Sequence, residues 1–415
     1  MIGLPVLNVL NVGQNYRVVG GSDVYLMALE KLLRRHGHEV IPFAPLHPHN
    51  LPTEWSSFFP PSADFDHPGL RDLCRYVYSF PARKAMTRML AERRVDLAHL
   101  HIYYGKLTSS ILYPLRAHEC PVVQTLHDYK AVCPTYQLLA HGEVCQACGG
   151  KAFWQAVRRR CNRGSLARSL LSAVESYVSR ACGSVSDIDH FIAVSDFVRT
   201  KVVELGLPEE KVTTVHNFVD ASGIEPSQQA GEYFLYFGRI ERVKGIFTLI
   251  EAFRPLRDQR LLIVGGGNAL AEVVRLVHVE GLDHIRVLGF KSGAELDALI
   301  RGSICTVVPS EWYETFGLTL IESFAYGRPV IASRIGGMAE VVSDGVDGFL
   351  VPAGDADTLR EKLLWMAGNR TKVVEMGLMG RQKVLECFNP EIHYQKILSV
   401  YRKALGGRSA GSNPV

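Results

Sequence analysis

The sequence predicts an α/β protein built from two doubly wound, parallel-sheet domains in tandem. Three observations predict it. The 415 residues exceed what one hydrophobic core usually serves and suit two domains. Apolar residues make up 47% of the chain, the share of a soluble globular protein. Short apolar runs alternate with helical periodicity twice over, and that rhythm implies parallel strands covered by helices on both faces.

The opening MIGLPVLNVLNVG has no basic leader and no small-residue cleavage site. It reads as a first core strand, Val6–Asn11, rather than a signal peptide. Asp23–Arg35 carries Val24, Met27, Ala28 and Leu32 at helical spacing, and Gly37 stops it. Glu39–Ala44, Leu97–His101, Val122–His127 and Phe191–Val194 are the next strands. Residues 220–232 are polar, with Pro226, Ser227 and two glutamines, a linker composition. A second series follows: Tyr233–Phe237, Arg260–Val264, Ile285–Leu288, Cys305–Pro309, Pro329–Ala332 and Gly348–Val351. The expected domains are therefore 1–225 and 226–390, then a helix over 391–407 packing back on the first domain and a disordered tail, 408–415. No run of about 18 apolar residues predicts a bilayer span. A net charge of +4 is too small to argue for nucleic acid. The expectation is a cytoplasmic protein with free or metal-bound thiols.

Four loop–helix junctions carry the candidate chemistry. Gly20–Gly21 precedes a helix; it suits close approach to an anion, or a plain turn capped by Ser22. Gly238–Arg239 and Lys244 follow a strand, and two cations in one loop suit a diphosphate; the alternative is a solvated pair beside Glu241 or Arg242. Gly265–Gly267 permits close approach but equally a simple turn. Glu314 and Glu322 flank a helix start at Phe316–Leu318, where Gly317 brings backbone N–H groups to a phosphate. Their bland reading is helix-dipole support. His99 and His101 read as members of a polar network on a buried strand.

Taken in order, VVGGSDVYLMALEKLLRRHGHEV, TLHDY, YFGRIERVKG, LLIVGGG, VLGFKS, and ETFGLTLIESFAYGRPVIAS followed by GGMAEVV and DGFLVPAGD resemble the family 4 glycosyltransferases. The resemblance covers almost the whole chain, and the E-x7-E element from Glu314 to Glu322 is its most specific piece. It implies a GT-B fold, two Rossmann-like domains facing across a cleft, and retaining transfer from a nucleoside-diphosphate sugar to a saccharide hydroxyl. The expected acceptor is carried on a polyprenyl diphosphate, which would make use of the basic stretch 151–180. Arg239 and Lys244 would hold the diphosphate, Glu322 the ribose hydroxyls, and Glu314 the donor sugar, with the Phe316, Gly317 and Leu318 amides nearby. Phe290 and Lys291 would lie by the base, Gly21 and Gly238 by the phosphates, and His127 over the reacting face. No DxD metal motif stands in a suitable place, so metal-independent chemistry with no required cofactor is expected. Rivals of the same fold are a nucleotide-sugar epimerase and a small-molecule transferase; a noncatalytic sugar-nucleotide scaffold is the rival of another class.

Two features lie outside that scheme. Cys133, Cys145, Cys148 and Cys161 form C-x11-C-x2-C-x12-C within an insertion at 130–165. That spacing suits a tetrahedral zinc, with His141 as a substitute ligand, or else free thiols or partial disulfides. The insertion leaves the strand that carries His127, so it is expected to cover the acceptor side. The stretch 151–180 then sets Lys151, Arg158, Arg159, Arg160, Arg163, Arg168 and Arg180 beside Phe153, Trp154 and Val157. It suits peripheral contact with an anionic inner membrane face, or an apolar stripe packed on its own domain.

Overall fold

The computed structural model describes residues 5–63 and 69–409. Two compact units divide it: residues 1–215 with 393–415, and residues 216–392. Each centres on a six-stranded, all-parallel sheet.

In the first unit the strands are β1 (Asn8–Val12), β2 (Glu39–Phe43), β3 (Leu97–Leu100), β4 (Val122–Leu126), a two-residue hairpin of β5 (Leu139–Ala140) with β6 (Glu143–Val144), β7 (His190–Ala193) and β8 (Val212–Thr214). The main sheet runs β2-β1-β3-β4-β7-β8. Strands β3, β4 and β7 are buried at every residue, as parallel strands covered on both faces must be. The helix Gly21–Arg35 buries Tyr25, Leu26, Leu29, Leu32 and Leu33, one stripe at helical spacing. Each such side chain contributes about 2 kcal/mol of burial. Ser22 does not cap this helix. The Asp23 carboxylate reaches back to accept from the Val19 and Gly20 amides at 3.1 and 3.0 Å.

The closing helix, Pro390–Ser409, belongs to this unit from His393 onward. Its Tyr394 hydroxyl lies 2.8 Å from His38 Nε2, and the Tyr401 hydroxyl 2.8 Å from His99 Nδ1. His393 Nε2 sits 3.0 Å from the Tyr25 hydroxyl. The helix runs two residues into the segment 408–415; positions 410–415 lie outside the described residues.

The second unit contains β9 (Tyr233–Phe237), β10 (Leu261–Val264), β11 (Ile285–Gly289), β12 (Ser303–Val308), β13 (Val330–Ser333) and β14 (Gly348–Val351), ordered β11-β10-β9-β12-β13-β14. Phe234, Ile263 and Ile304 pack with Ile250, Phe253, Leu359 and Leu363 of two helices in one cluster. The polar stretch 220–232 belongs to this unit. Arg381 donates to the Ala221 and Ile224 carbonyls, and Ser227 N donates to Tyr326 O. The division at 215/216 precedes that stretch because its backbone is held by second-unit partners.

Candidate functional site

Both sheets reverse their strand order once. In the second unit the chain winds from β9 through β10 to β11, then returns to place β12 on the other side of β9. The loops after β9 and β12 thus open at the topological switch point, where doubly wound sheets bind ligands. Lys244 comes from the first loop and Glu314 from the second. Lys244 Nζ donates to Glu314 Oε1 at 2.5 Å, and the Ser310 hydroxyl donates to the same oxygen at 2.6 Å. Burial opposes ionisation of Glu314, but the Lys244 charge and hydrogen bond outweigh it and hold the carboxyl below its usual range. An ammonium offers three protons, so Lys244 keeps donors for a second anion.

Two glycines permit this approach. A Cβ on Gly245, φ +70°, would meet the Pro309 carbonyl oxygen at 1.7 Å. One on Gly336, φ +63°, would meet the Glu314 carbonyl oxygen at 2.3 Å. The neighbouring Gly337 amide donates to that same Glu314 oxygen at 2.8 Å, so the backbone of the Glu314 loop is fixed from behind.

Gly317 caps the helix Leu318–Ala325, and half-buried Glu322 lies in its second turn. Burial, with the Asp297 charge adding to it, pushes the Glu322 carboxyl up to about 7. The two glutamates are therefore unlike: Glu314 is a paired carboxylate, whereas Glu322 titrates near neutrality. Phe316 is buried. Arg239 is half-exposed and pairs with Glu241 at 3.0 Å. The loops after β9, β10 and β11 are tied by backbone bonds, Gly238 N to Val264 O, Ile240 N to Gly266 O, and Gly265 N to Gly289 O. That lacing sets Gly238, Gly265–Gly267, Phe290 and Lys291 along one edge. Phe290 is exposed, and Lys291 pairs with Glu295.

The first unit reverses between β1 and β3. Gly21 opens the helix after β1. Beside it, Lys106 Nζ donates to Asn15 Oδ1 at 2.8 Å, and Asn15 Nδ2 donates to Asp23 at 3.3 Å. Sequence reading passed over Asn15 and Lys106, which belong to no recognisable motif. His127 directly follows β4, with Nε2 3.0 Å from His101 Nδ1; His101 Nε2 is 2.8 Å from Asn11 Oδ1. Asn11 Nδ2 donates to the Leu26 carbonyl, so Oδ1 accepts from His101 Nε2–H. Burial lowers the His101 pKa well below its ordinary value and that of His127 to about 3, so both rings are neutral. His101 Nδ1 then accepts from His127 Nε2–H, and the chain of bonds fixes one tautomer of His127.

The cysteines of the insertion come together: Cys133, Cys145, Cys148 and Cys161 line one small cavity with Leu138 and Leu205. None of the four is in a disulfide. His141 is exposed and turned to the Arg159 carbonyl, 2.8 Å away.

Two family models match in tandem, Glycosyltransferase Family 4 over residues 19–222 and Glycosyl transferases group 1 over residues 221–383. A phosphatidyl-myo-inositol mannosyltransferase of Mycobacterium leprae is 26% identical over 364 residues, 86% of each chain. An uncharacterized glycosyltransferase of Methanocaldococcus jannaschii is 28% identical over 222 residues, 53% of this chain and 60% of that one. Among solved structures, sucrose-phosphate synthase from Thermosynechococcus elongatus superposes with a TM-score of 0.74 at 20% identity, over 97% of this chain and all of that one. Anabaena HepE in complex with UDP-glucose gives 0.64 at 17% identity, over 95% and 99%. No helix among the described residues is long and apolar enough to cross a membrane. Two doubly wound sheets, loops gathered at both switch points and two family models in register make this chain a member of the family 4, group 1 glycosyltransferases, an enzyme of the GT-B fold.

Proposed function

We propose that this glycosyltransferase moves a sugar, with retention, from a nucleoside-diphosphate sugar to a hydroxyl of a saccharide acceptor carried on a polyprenyl diphosphate, in polysaccharide biosynthesis. The Lys244–Glu314 contact at the second switch point carries the reading. A cation there, already balanced by a carboxylate and backed by Arg239, suits an incoming diphosphate. The Gly317 turn adds the N-terminus of a helix. The complex of Anabaena HepE with UDP-glucose supports a sugar nucleotide as donor.

In the reaction, the acceptor oxygen bonds to the anomeric carbon as the bond to the diphosphate oxygen breaks. The acceptor proton passes to that departing oxygen, and Arg239 and Lys244 offset the charge left on it. Glu322 accepts the ribose hydroxyls, Glu314 contacts the sugar, and neutral His127 hydrogen-bonds its reacting face.

The acceptor reading draws on the helix Leu166–Ala181. It buries Ser169, Ser172, Ser176 and Ser179 and exposes Leu166, Leu170, Val174 and Tyr177, an inverted pattern for a water-facing helix. Exposed Arg158, Arg159, Arg160, Arg163 and Arg168 precede or accompany it, the combination that suits anionic lipid.

A panel of sugar nucleotides with saccharide–polyprenyl-diphosphate acceptors tests the proposal. One donor should release nucleoside diphosphate only with acceptor present, and proton NMR of the product should show the donor's anomeric configuration. An inverted product sinks the retaining mechanism. Free epimerised sugar nucleotide, or no turnover with any donor, sinks the transfer.

A further inference from the structure

The catalytic reading leaves the segment between Lys130 and Ser165 without a role. Its regular structure amounts to the β5–β6 hairpin and a short helix, Trp154–Arg158. Val132, Leu138, Phe153 and Ala156 are buried there, but so little regular structure leaves most of its backbone to be ordered by other contacts. Yet of seven non-glycine residues with positive φ among those described, five fall here: Tyr136, Leu138, His141, Arg160 and Arg163. Such conformations persist only where the surroundings impose them.

Part of the restraint comes from outside. Arg180 Nη2 donates to the Ala131 carbonyl at 3.0 Å and the Gly150 carbonyl at 2.7 Å, closing the first loop at its base. Lys130 pairs with buried Glu175. At the centre lies a cavity of about 10 Å³, lined by all four cysteines, which is the room one atom-sized guest needs. We propose that Cys133, Cys145, Cys148 and Cys161 bind one zinc ion as a structural tetrathiolate site.

Four separate turns deliver the ligands. Cys133 N donates to Tyr129 O, Cys145 N to Leu138 O, and Cys161 N to Ala156 O, while the Cys148 carbonyl accepts from the Lys151 and Ala152 amides. Binding Zn²⁺ releases four thiol protons and leaves a site of charge −2. The cation run 158–160 answers that charge, with Arg159 Nη1 3.7 Å from Cys145 Sγ. Among the described residues no three of these sulfurs lie within 4.8 Å of one another. Tetrahedral Zn–S bonds of about 2.3 Å require sulfurs about 3.8 Å apart, so the metal draws the turns inward. The site is closed by four protein ligands, which makes it a staple for the insertion rather than a catalytic metal.

The test uses the full chain purified without chelator or immobilised metal. Metal analysis should find one zinc per chain, released as a mercurial titrates four thiols. Cobalt substitution should give sulfur-to-cobalt charge transfer and the d–d bands of a tetrahedral site. Chelation should expose residues 133–161 to protease, and added zinc should restore protection. A Cys145→Ser/Cys148→Ser variant should lose the metal. Should that variant fail to fold, the wild-type cobalt spectrum and protease pattern decide alone. Freely reacting thiols without stoichiometric metal, or iron with acid-labile sulfide, overturns the proposal. None of these readouts depends on glycosyl transfer.

Discussion

The two glutamates of the E-x7-E element respond to pH in opposite directions. Glu314 has its pKa lowered in the fold. Its ion pair contributes fully above the unfolded value and is lost only as acid takes the pH through the depressed one. Glu322 is raised to about 7. Its contribution is full below the unfolded value of 4.5 and is lost as pH rises through 7. A ribose diol donates two hydrogen bonds, which a carboxylate accepts and a protonated acid cannot both take. Nucleoside-diphosphate affinity should therefore weaken below pH 7, by up to about tenfold per pH unit, with a proton released on binding near neutrality. Calorimetry in two buffers of different ionisation enthalpy measures this. Glu322→Gln should flatten the pH profile; an unchanged profile in that variant removes Glu322 from the nucleotide site. Spacing put Glu314 and Glu322 around one helix start, and that was legible. The pairing of Glu314 with Lys244 was not, because the two are seventy positions apart and meet only through the sheet reversal at β9 and β12.

Among the elements, strands with dense apolar runs were legible to within one or two residues. β8 was not. VTT follows the charged run Glu209–Lys211 and reads as loop, yet it pairs in register with Phe191–Ala193 as an edge strand. The stretch 151–180 left two readings open, membrane contact or an apolar stripe packed on its own domain. In the helix Leu166–Ala181 serines fill the buried face and leucines face water. Serine lets the helix lie close to its neighbours, and buried Glu175 pairs with Lys130 through Oε2. The exposed leucines then have no folding role. Leu166→Glu/Leu170→Glu should change stability by only about 0.5 kcal/mol per site and should abolish sedimentation with phosphatidylglycerol vesicles, which wild type should bind and neutral vesicles should not match. Wild-type protein that ignores anionic vesicles rules out membrane contact by this helix.

Taken whole, the chain leaves its first unit at Val215 and re-enters it at His393. The second unit is one continuous segment, and residues 221–383 of it match a single family model. The first is discontinuous, completed by a helix far away in sequence. Composition marked the polar stretch 220–232, but not the hydrogen bonds that assign it to the second unit, nor the tyrosine–histidine pairs that seat the last helix. Those pairs have consequences for folding. Tyr401 is fully buried, with its hydroxyl on His99 Nδ1, and Thr125 occupies the other ring nitrogen. Removing residues 393–415 strips partners from His38 and His99 and exposes the apolar surface under Ile397, Leu398 and Tyr401. Truncation after Ile392 should therefore raise hydrogen exchange in β1, β3 and β4 while β9–β13 keep their protection. The milder Tyr401→Ala should cost about 3–5 kcal/mol, read as an earlier urea transition of the first unit alone. Tyr401→Phe should cost about 1–3 kcal/mol, because it keeps the ring but leaves a buried imidazole nitrogen unsatisfied. Equal loss of protection in both sheets on truncation would mean that the two units unfold as one, and that the last helix supports more than the sheet it packs on.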